Sequence, residues 1–242
     1  MPEIILLHHT ADSTVDETIR ALNRRDLSVQ YIVAKNGTVY QQVRDWHRAW
    51  HAGVGAWYEY TDVNSFSVGI EIVNTGDEPY PQAQVYAVGE LVATLKKRWH
   101  VNDHYIAAHG DSAPDHKNNP SGYFPWVSVY NRLSVFPGLY NTTLTHAQQH
   151  EVIIGNNVTF TSEKVIQVQN DLKKIGYTYL PFTPGAFGVN AALVFQAFNR
   201  HFCPEIFVDE SVDWWGTTLY NDSNMYWYGI SDERLQKLLS FE

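Results

Sequence analysis

Cysteine is almost absent from this chain of 242 residues: Cys203 stands alone. One thiol excludes an internal disulfide and any zinc site built from several thiolates. Basic residues are also scarce, with 17 Lys and Arg against 26 Asp and Glu, a formal net charge of −9. The deficit is shared, −4 before residue 151 and −5 from there onward. Neither half carries the positive footprint that phosphate backbones require, so nucleic acid is not an expected partner. No long apolar run is present either. The longest charge-free stretch, residues 175–199, is interrupted by Pro181, Pro184, Gly185, Gly188 and Asn190, which a membrane-spanning helix would not tolerate. No GxSxG motif marks a serine nucleophile, and Cys203 sits beside Pro204 in a helical region, so serine or cysteine hydrolysis is a poor reading. The first residues run almost directly into Ile4-Ile5-Leu6-Leu7 with no secretory-leader pattern, as expected of a native start or a trimmed mature form.

Aromatic residues are abundant: 15 Tyr, 11 Phe and 8 Trp, too many for a disordered chain. The length suffices for a substantial core without disulfide or metal staples. Eleven histidines, several beside aromatics or glycine, point to metal or acid–base chemistry.

Short β-forming runs alternate with helical periodicity. Residues 4–8 read as a buried strand and 15–24 as a helix. Lys35-Asn36-Gly37 between two β-rich runs is a hairpin signal. SVGIEIV (67–73) is a further strand, and residues 105–109 another. Between them Val85, Val88, Val92, Leu95 and Trp99 form one apolar helical stripe. The order predicts an α/β fold, a mixed central sheet flanked by helices. Residues 137–161 are rich in Pro, Gly and Asn and read as a linker. Beyond it, Ser162 is the expected N-cap of a helix ending at Gly176; a second helix starts near Asn190 and a third spans about 231–239, together a small C-terminal three-helix domain. The expected organisation is residues 1–140, a linker at 141–161, and 162–242.

Polar residues gather at the ends of the predicted strands: His8 and His9, Glu71, and His109. Ligand sites in open α/β sheets lie at the carboxyl ends of strands. A catalytic zinc needs about three protein ligands and an open position for water, which two histidines and a third ligand from the loop after His109 would provide. Glu71, facing opposite to Ile70 and Ile72, needs a partner: a metal-bound water, or a Lys or Arg in a structural ion pair.

At these residues the sequence resembles the type 2 N-acetylmuramoyl-L-alanine amidases, the zinc family that includes peptidoglycan recognition proteins. Five segments carry the resemblance in order: LLHHTA (6–11), YIVAKNGTVYQ (31–41), RAWHAGVGAW (48–57), NSFSVGIEIVN (64–74) and AHGDSAPDHKNNPSGYFPW (108–126). It implies a Zn²⁺ site at His8, His109 and Asn119, catalytic roles for Glu71 and Lys117, and a substrate groove lined by Trp50, His51 and Ala52. Residues 162–240 resemble the helical peptidoglycan-binding module of envelope-type members. The implied reaction is hydrolysis of the amide between N-acetylmuramic acid and L-alanine in peptidoglycan or muropeptides, by a monomer in the cell envelope (periplasm or outer membrane); the alternative is a non-catalytic peptidoglycan-binding protein. One departure stands out: the third ligand, Asp or Cys in the family, is here the neutral Asn119, which predicts weaker metal retention. Neither Asp111 nor Asp115 falls at a ligand position of the motif. His9 is expected to be structural, and Trp57 closer to the core than Trp50 or His51.

Overall fold

A computed structural model describes residues 1–207 and 223–241; the expected helical segment 162–242 therefore includes residues 208–222 and Glu242, which lie outside the described residues. Strand β1 (Ile4–His9) leads into helix α1 (Val15–Arg24), whose N-cap Thr14 accepts from the Glu17 amide. Strands β2 (Tyr31–Val33) and β3 (Val39–Gln41) form the hairpin predicted from Asn36-Gly37, with Gly37 in the left-handed region at φ +88°. The short helix α2 (Val63–Phe66) precedes β4 (Ser67–Ile72), and the long α3 (Gln82–Trp99) carries the apolar stripe. Strand β5 (Ile106–Ala108) ends one residue before His109, which opens the one-turn helix α4 (His109–Ser112) instead of closing the strand; α5 (Trp126–Leu133) packs on α3.

The sheet order is β3-β2-β4-β1-β5, parallel except for the edge strand β3. Its central strands are near-continuous apolar runs because both faces are covered. In β1 and β4 every residue from Ile4 to Leu7 and from Val68 to Ile70 is buried. Register fixes the functional face: His8 pairs with Glu71 and Glu71 with Ile32. Residues directly opposite in adjacent strands project to the same side, so His8 and Glu71 stand together on the face opposite Ile70 and Ile72.

The stretch expected as a linker holds two short elements, α6 (His146–Gln149) and β6 (Val152–Ile154). Strand β6 pairs with β7 (Trp227–Tyr228), more than 70 residues away, a pairing no local pattern announces. Helix α7 (Ser162–Lys174) is capped by Thr161, whose hydroxyl accepts from the Lys164 amide, so Ser162 is its first helical residue. Gly176 follows at φ +108° as expected. Helices α8 (Val189–Phe202) and α9 (Gly229–Leu239) complete the C-terminal part. One hydrophobic cluster runs through both parts, joining Trp57, Ile106, Tyr130 and Phe136 to Ile175, Tyr177, Phe198, Phe202 and Leu238.

Candidate metal centre and active site

The carboxyl ends of β1 and β5 bring two imidazoles together. His8 Nδ1 and His109 Nδ1 lie 2.8 Å apart, both rings buried. Each ring is fixed from behind. His109 Nε2 is 2.8 Å from the Ala52 carbonyl, which only accepts, so that nitrogen carries the proton and Nδ1 presents a lone pair. His8 Nε2 is 3.0 Å from His51 Nδ1, and His51 Nε2 is 3.4 Å from Ser67 Oγ. The Ser67 hydroxyl spends its one proton on the Val63 carbonyl at 2.6 Å, so it accepts from His51. The donor chain then runs His8 Nε2 to His51 Nδ1, His51 Nε2 to Ser67, Ser67 to Val63. It leaves His8 Nδ1 as a second lone pair.

Two lone pairs facing each other at 2.8 Å repel unless a cation lies between them. Burial, the facing imidazole and His51 all hold His8 well below the ordinary histidine range; burial and the Lys117 charge do the same for His109. A proton is therefore a poor occupant, and a metal ion a good one. Orphaned oxygens add to the fit. Asn119 Oδ1 and Glu71 Oε2 are buried atoms without a hydrogen-bond partner, and the Asn119 side chain lies beside His109. A backbone bond from Gly110 to the Asn119 carbonyl, 2.9 Å, ties the two segments together. No group of three His, Cys, Asp or Glu able to hold a metal occurs among the described residues. At position 119 the side chain is a neutral amide: with the two imidazoles it makes a donor set that suits zinc in ligand type and lacks an anion.

Glu71 is pushed up to about 8 by desolvation and the Asp12 charge, with Lys117 opposing. Lys117 is half-buried and lowered by desolvation, partly offset by Glu71. The Lys117 charge acts on His8, His109 and Glu71 alike, which places one cation and one carboxyl around the paired imidazoles.

The groove residues divide. Trp50 is 53% exposed, with the Arg48 guanidinium 4.1 Å from its ring centroid. His51 and Ala52, expected beside it in the groove, are buried instead, and their amides both donate to Asn64 Oδ1 at 2.8 Å. Their polar groups are committed to holding His8 and His109, so they back the imidazoles rather than face a substrate. The sequence signal that could have shown this is Gly69: a Cβ there would meet three His51 ring atoms at 2.7 Å, and β4 is glycine at that point because the ring occupies the space. Trp57 is buried, its indole donating to the His104 carbonyl. His9 points to the other face, accepting from the Ser121 amide, and burial lowers it to about 4. Asp111 faces the C-terminal helices and Asp115 pairs with His116, so neither reaches the imidazoles.

The family described as N-acetylmuramoyl-L-alanine amidase matches residues 1–122. The chain is 27% identical over 227 residues to N-acetylmuramoyl-L-alanine amidase AmiD of Escherichia coli, covering 86% of this chain and 78% of that protein. It is 36% identical over 108 residues to the 1,6-anhydro-N-acetylmuramyl-L-alanine amidase AmpD of Enterobacter cloacae, covering 45% and 58% respectively. The solved complex of E. coli AmiD with anhydro-N-acetylmuramic acid-L-Ala-D-gamma-Glu-L-Lys superposes with a TM-score of 0.73 at 24% identity, over 99% of this chain and 89% of that one, a likeness of fold. The chain belongs to the type 2 N-acetylmuramoyl-L-alanine amidase family, whose members are peptidoglycan amidases.

Proposed function

We propose that the protein hydrolyses the amide between the lactyl group of N-acetylmuramic acid and the L-alanine of the stem peptide in a zinc-dependent reaction, with peptidoglycan or its muropeptide fragments as substrate. The observation that carries the proposal is the close approach of two buried imidazole nitrogens, His8 Nδ1 and His109 Nδ1, at 2.8 Å. His8, His109 and Asn119 would hold the metal. Zinc bound there supplies Lewis-acid polarisation of the scissile carbonyl and acidifies a water. Glu71, on the same sheet face as His8 and with Oε2 unpartnered, would serve as general base and then as general acid toward the departing amine nitrogen, in the ionised form that a dication beside it favours. The Lys117 ammonium stands as fixed positive charge for the developing oxyanion. Trp50 offers an exposed aromatic face for sugar or peptide. Residues 162–242 serve as a peptidoglycan-binding part joined through 141–161, and the chain acts as a monomer in the cell envelope. No helix among the described residues is long and apolar enough to cross a membrane.

Asn119 favours a second reading, a peptidoglycan-binding protein without turnover, because a site with no anionic ligand holds zinc less tightly. The test is release of stem peptide from purified peptidoglycan with added zinc. The first reading predicts new L-alanine amino termini that disappear with a chelator. Binding of peptidoglycan without release at any zinc concentration would favour the second.

A further inference from the structure

Helix α4, which begins with His109, is gripped from outside the family-matched region of the chain. Asp111, 1% exposed, receives three donors. The Ala108 amide reaches its Oδ2 at 2.7 Å, His201 Nδ1 the same oxygen at 2.6 Å, and the Tyr177 hydroxyl its Oδ1 at 2.8 Å. The network continues: His201 Nε2 meets the Tyr130 hydroxyl at 2.7 Å, and Tyr130 donates to the Ile106 carbonyl of β5 at 3.3 Å. The His201 ring is held flat against Trp126, centroids 3.7 Å apart, and against Phe202 at 3.8 Å. Its neighbour Arg200 lies on the same turn from another side: a Cβ on Gly110 would come within 3.0 Å of its guanidinium and 3.1 Å of the Lys117 carbonyl.

A one-turn helix has little stability of its own. Here its orientation is set by a buried carboxylate whose three donors leave it few alternative positions. Tyr177 and His201 lie beyond residue 122, the end of the amidase family match. Tyr177 follows α7 and His201 lies in α8, yet both reach the residue two positions after His109.

We propose that His201 and Tyr177 are positioning residues of the amidase site. Through Asp111 they fix the turn 109–112, so that His109 Nδ1 faces His8 and Gly110 stays bonded to the Asn119 carbonyl. The C-terminal helices are thus part of the metal centre's scaffold, beyond any role in holding peptidoglycan. The inference rests on the zinc reading of the site given above.

The test is zinc affinity of the full chain, measured by chelator competition, with kcat and KM on a muropeptide as companion readouts. His201→Ala leaves Asp111 short of one donor and is expected to weaken zinc at least about tenfold, as loss of an outer-shell partner does, and to lower kcat with KM little changed. His201→Asn, which keeps a side-chain donor, recovers part of the loss. Tyr177→Phe, which removes only the hydroxyl and keeps the ring against Trp57, gives a smaller fall and decides the matter should His201→Ala not fold. Val168→Ala serves as control, loosening buried α7 without removing a hydrogen-bond donor to Asp111. Zinc affinity unchanged in both His201→Ala and Tyr177→Phe, or lowered as far by Val168→Ala, overturns the inference. A parent chain that binds no zinc overturns the underlying reading instead.

Discussion

Gly69 gives the sharpest test of how the imidazoles are held. Gly69→Ala places a methyl 2.7 Å from three atoms of the His51 ring. The strand cannot yield, because β4 is hydrogen-bonded to β1 on one side and β2 on the other. The His51 ring must move, and with it the 3.0 Å bond to His8. Overpacking of this kind costs about 1–3 kcal/mol, while replacing a strand glycine by alanine returns about 0.5–1 kcal/mol. The expected net loss is about 1 kcal/mol, and at most about 2.5 kcal/mol, in urea denaturation of the metal-free protein. Zinc affinity should fall about 10- to 100-fold, as it does when an outer-shell partner of a ligating histidine is lost. A double-mutant cycle with His51→Ala isolates the cause: once the ring is gone the methyl has room, so the stability cost of Gly69→Ala should vanish or change sign. A Gly69→Ala protein as stable as the parent and with unaltered zinc affinity, or a cost that persists in the His51→Ala background, would refute the reasoning.

Other expectations follow from single observations. Asn119→Asp restores an anionic ligand and should raise zinc occupancy of the purified protein; equal zinc content in both forms would remove the charge argument. Glu71 is raised from 4.5 to about 8 on folding, so the metal-free native state holds a proton that the unfolded chain releases, and stability present at low pH is lost as pH climbs through that interval. Glu71→Gln cannot titrate, so its stability advantage over the parent should grow between about pH 4.5 and 8 in urea midpoints; a pH-independent difference would contradict the shift. Cys203 is fully buried and its thiol is pushed up to about 12 by desolvation. It should resist alkylation at pH 8 until the protein is denatured, and rapid labelling of the native form would show that the α8 terminus opens.

Much of the sheet and part of the site were legible in the sequence because their signals are local. Asn36-Gly37 needs only a tight turn, the apolar stripe of α3 needs only helical period, His8 and His109 each follow or end an apolar run that reads as a strand, and Glu71 interrupts another. What escaped was pairing at a distance. His51 looked like a groove residue because it sits next to Trp50, yet the sheet turns its ring inward over Gly69. Asp111 looked idle beside the motif because its partners, Tyr177 and His201, lie 66 and 90 residues further on. The β6–β7 pair is a two- to three-residue ladder with no periodicity to read. At α7 two adjacent hydroxyls competed for the cap, and only backbone conformation, extended at Thr161, chose between them.

In the proposed reaction, turnover depends on Glu71 acting beside a metal held by His8 and His109. Purified peptidoglycan incubated with zinc-loaded parent and zinc-loaded Glu71→Gln, with new L-alanine amino termini counted and zinc content measured in both, tests it. The predicted result is release by the parent, none by the variant, and equal zinc in each. Release undiminished in Glu71→Gln, or zinc retained equally after His8→Ala and His109→Ala, would contradict it.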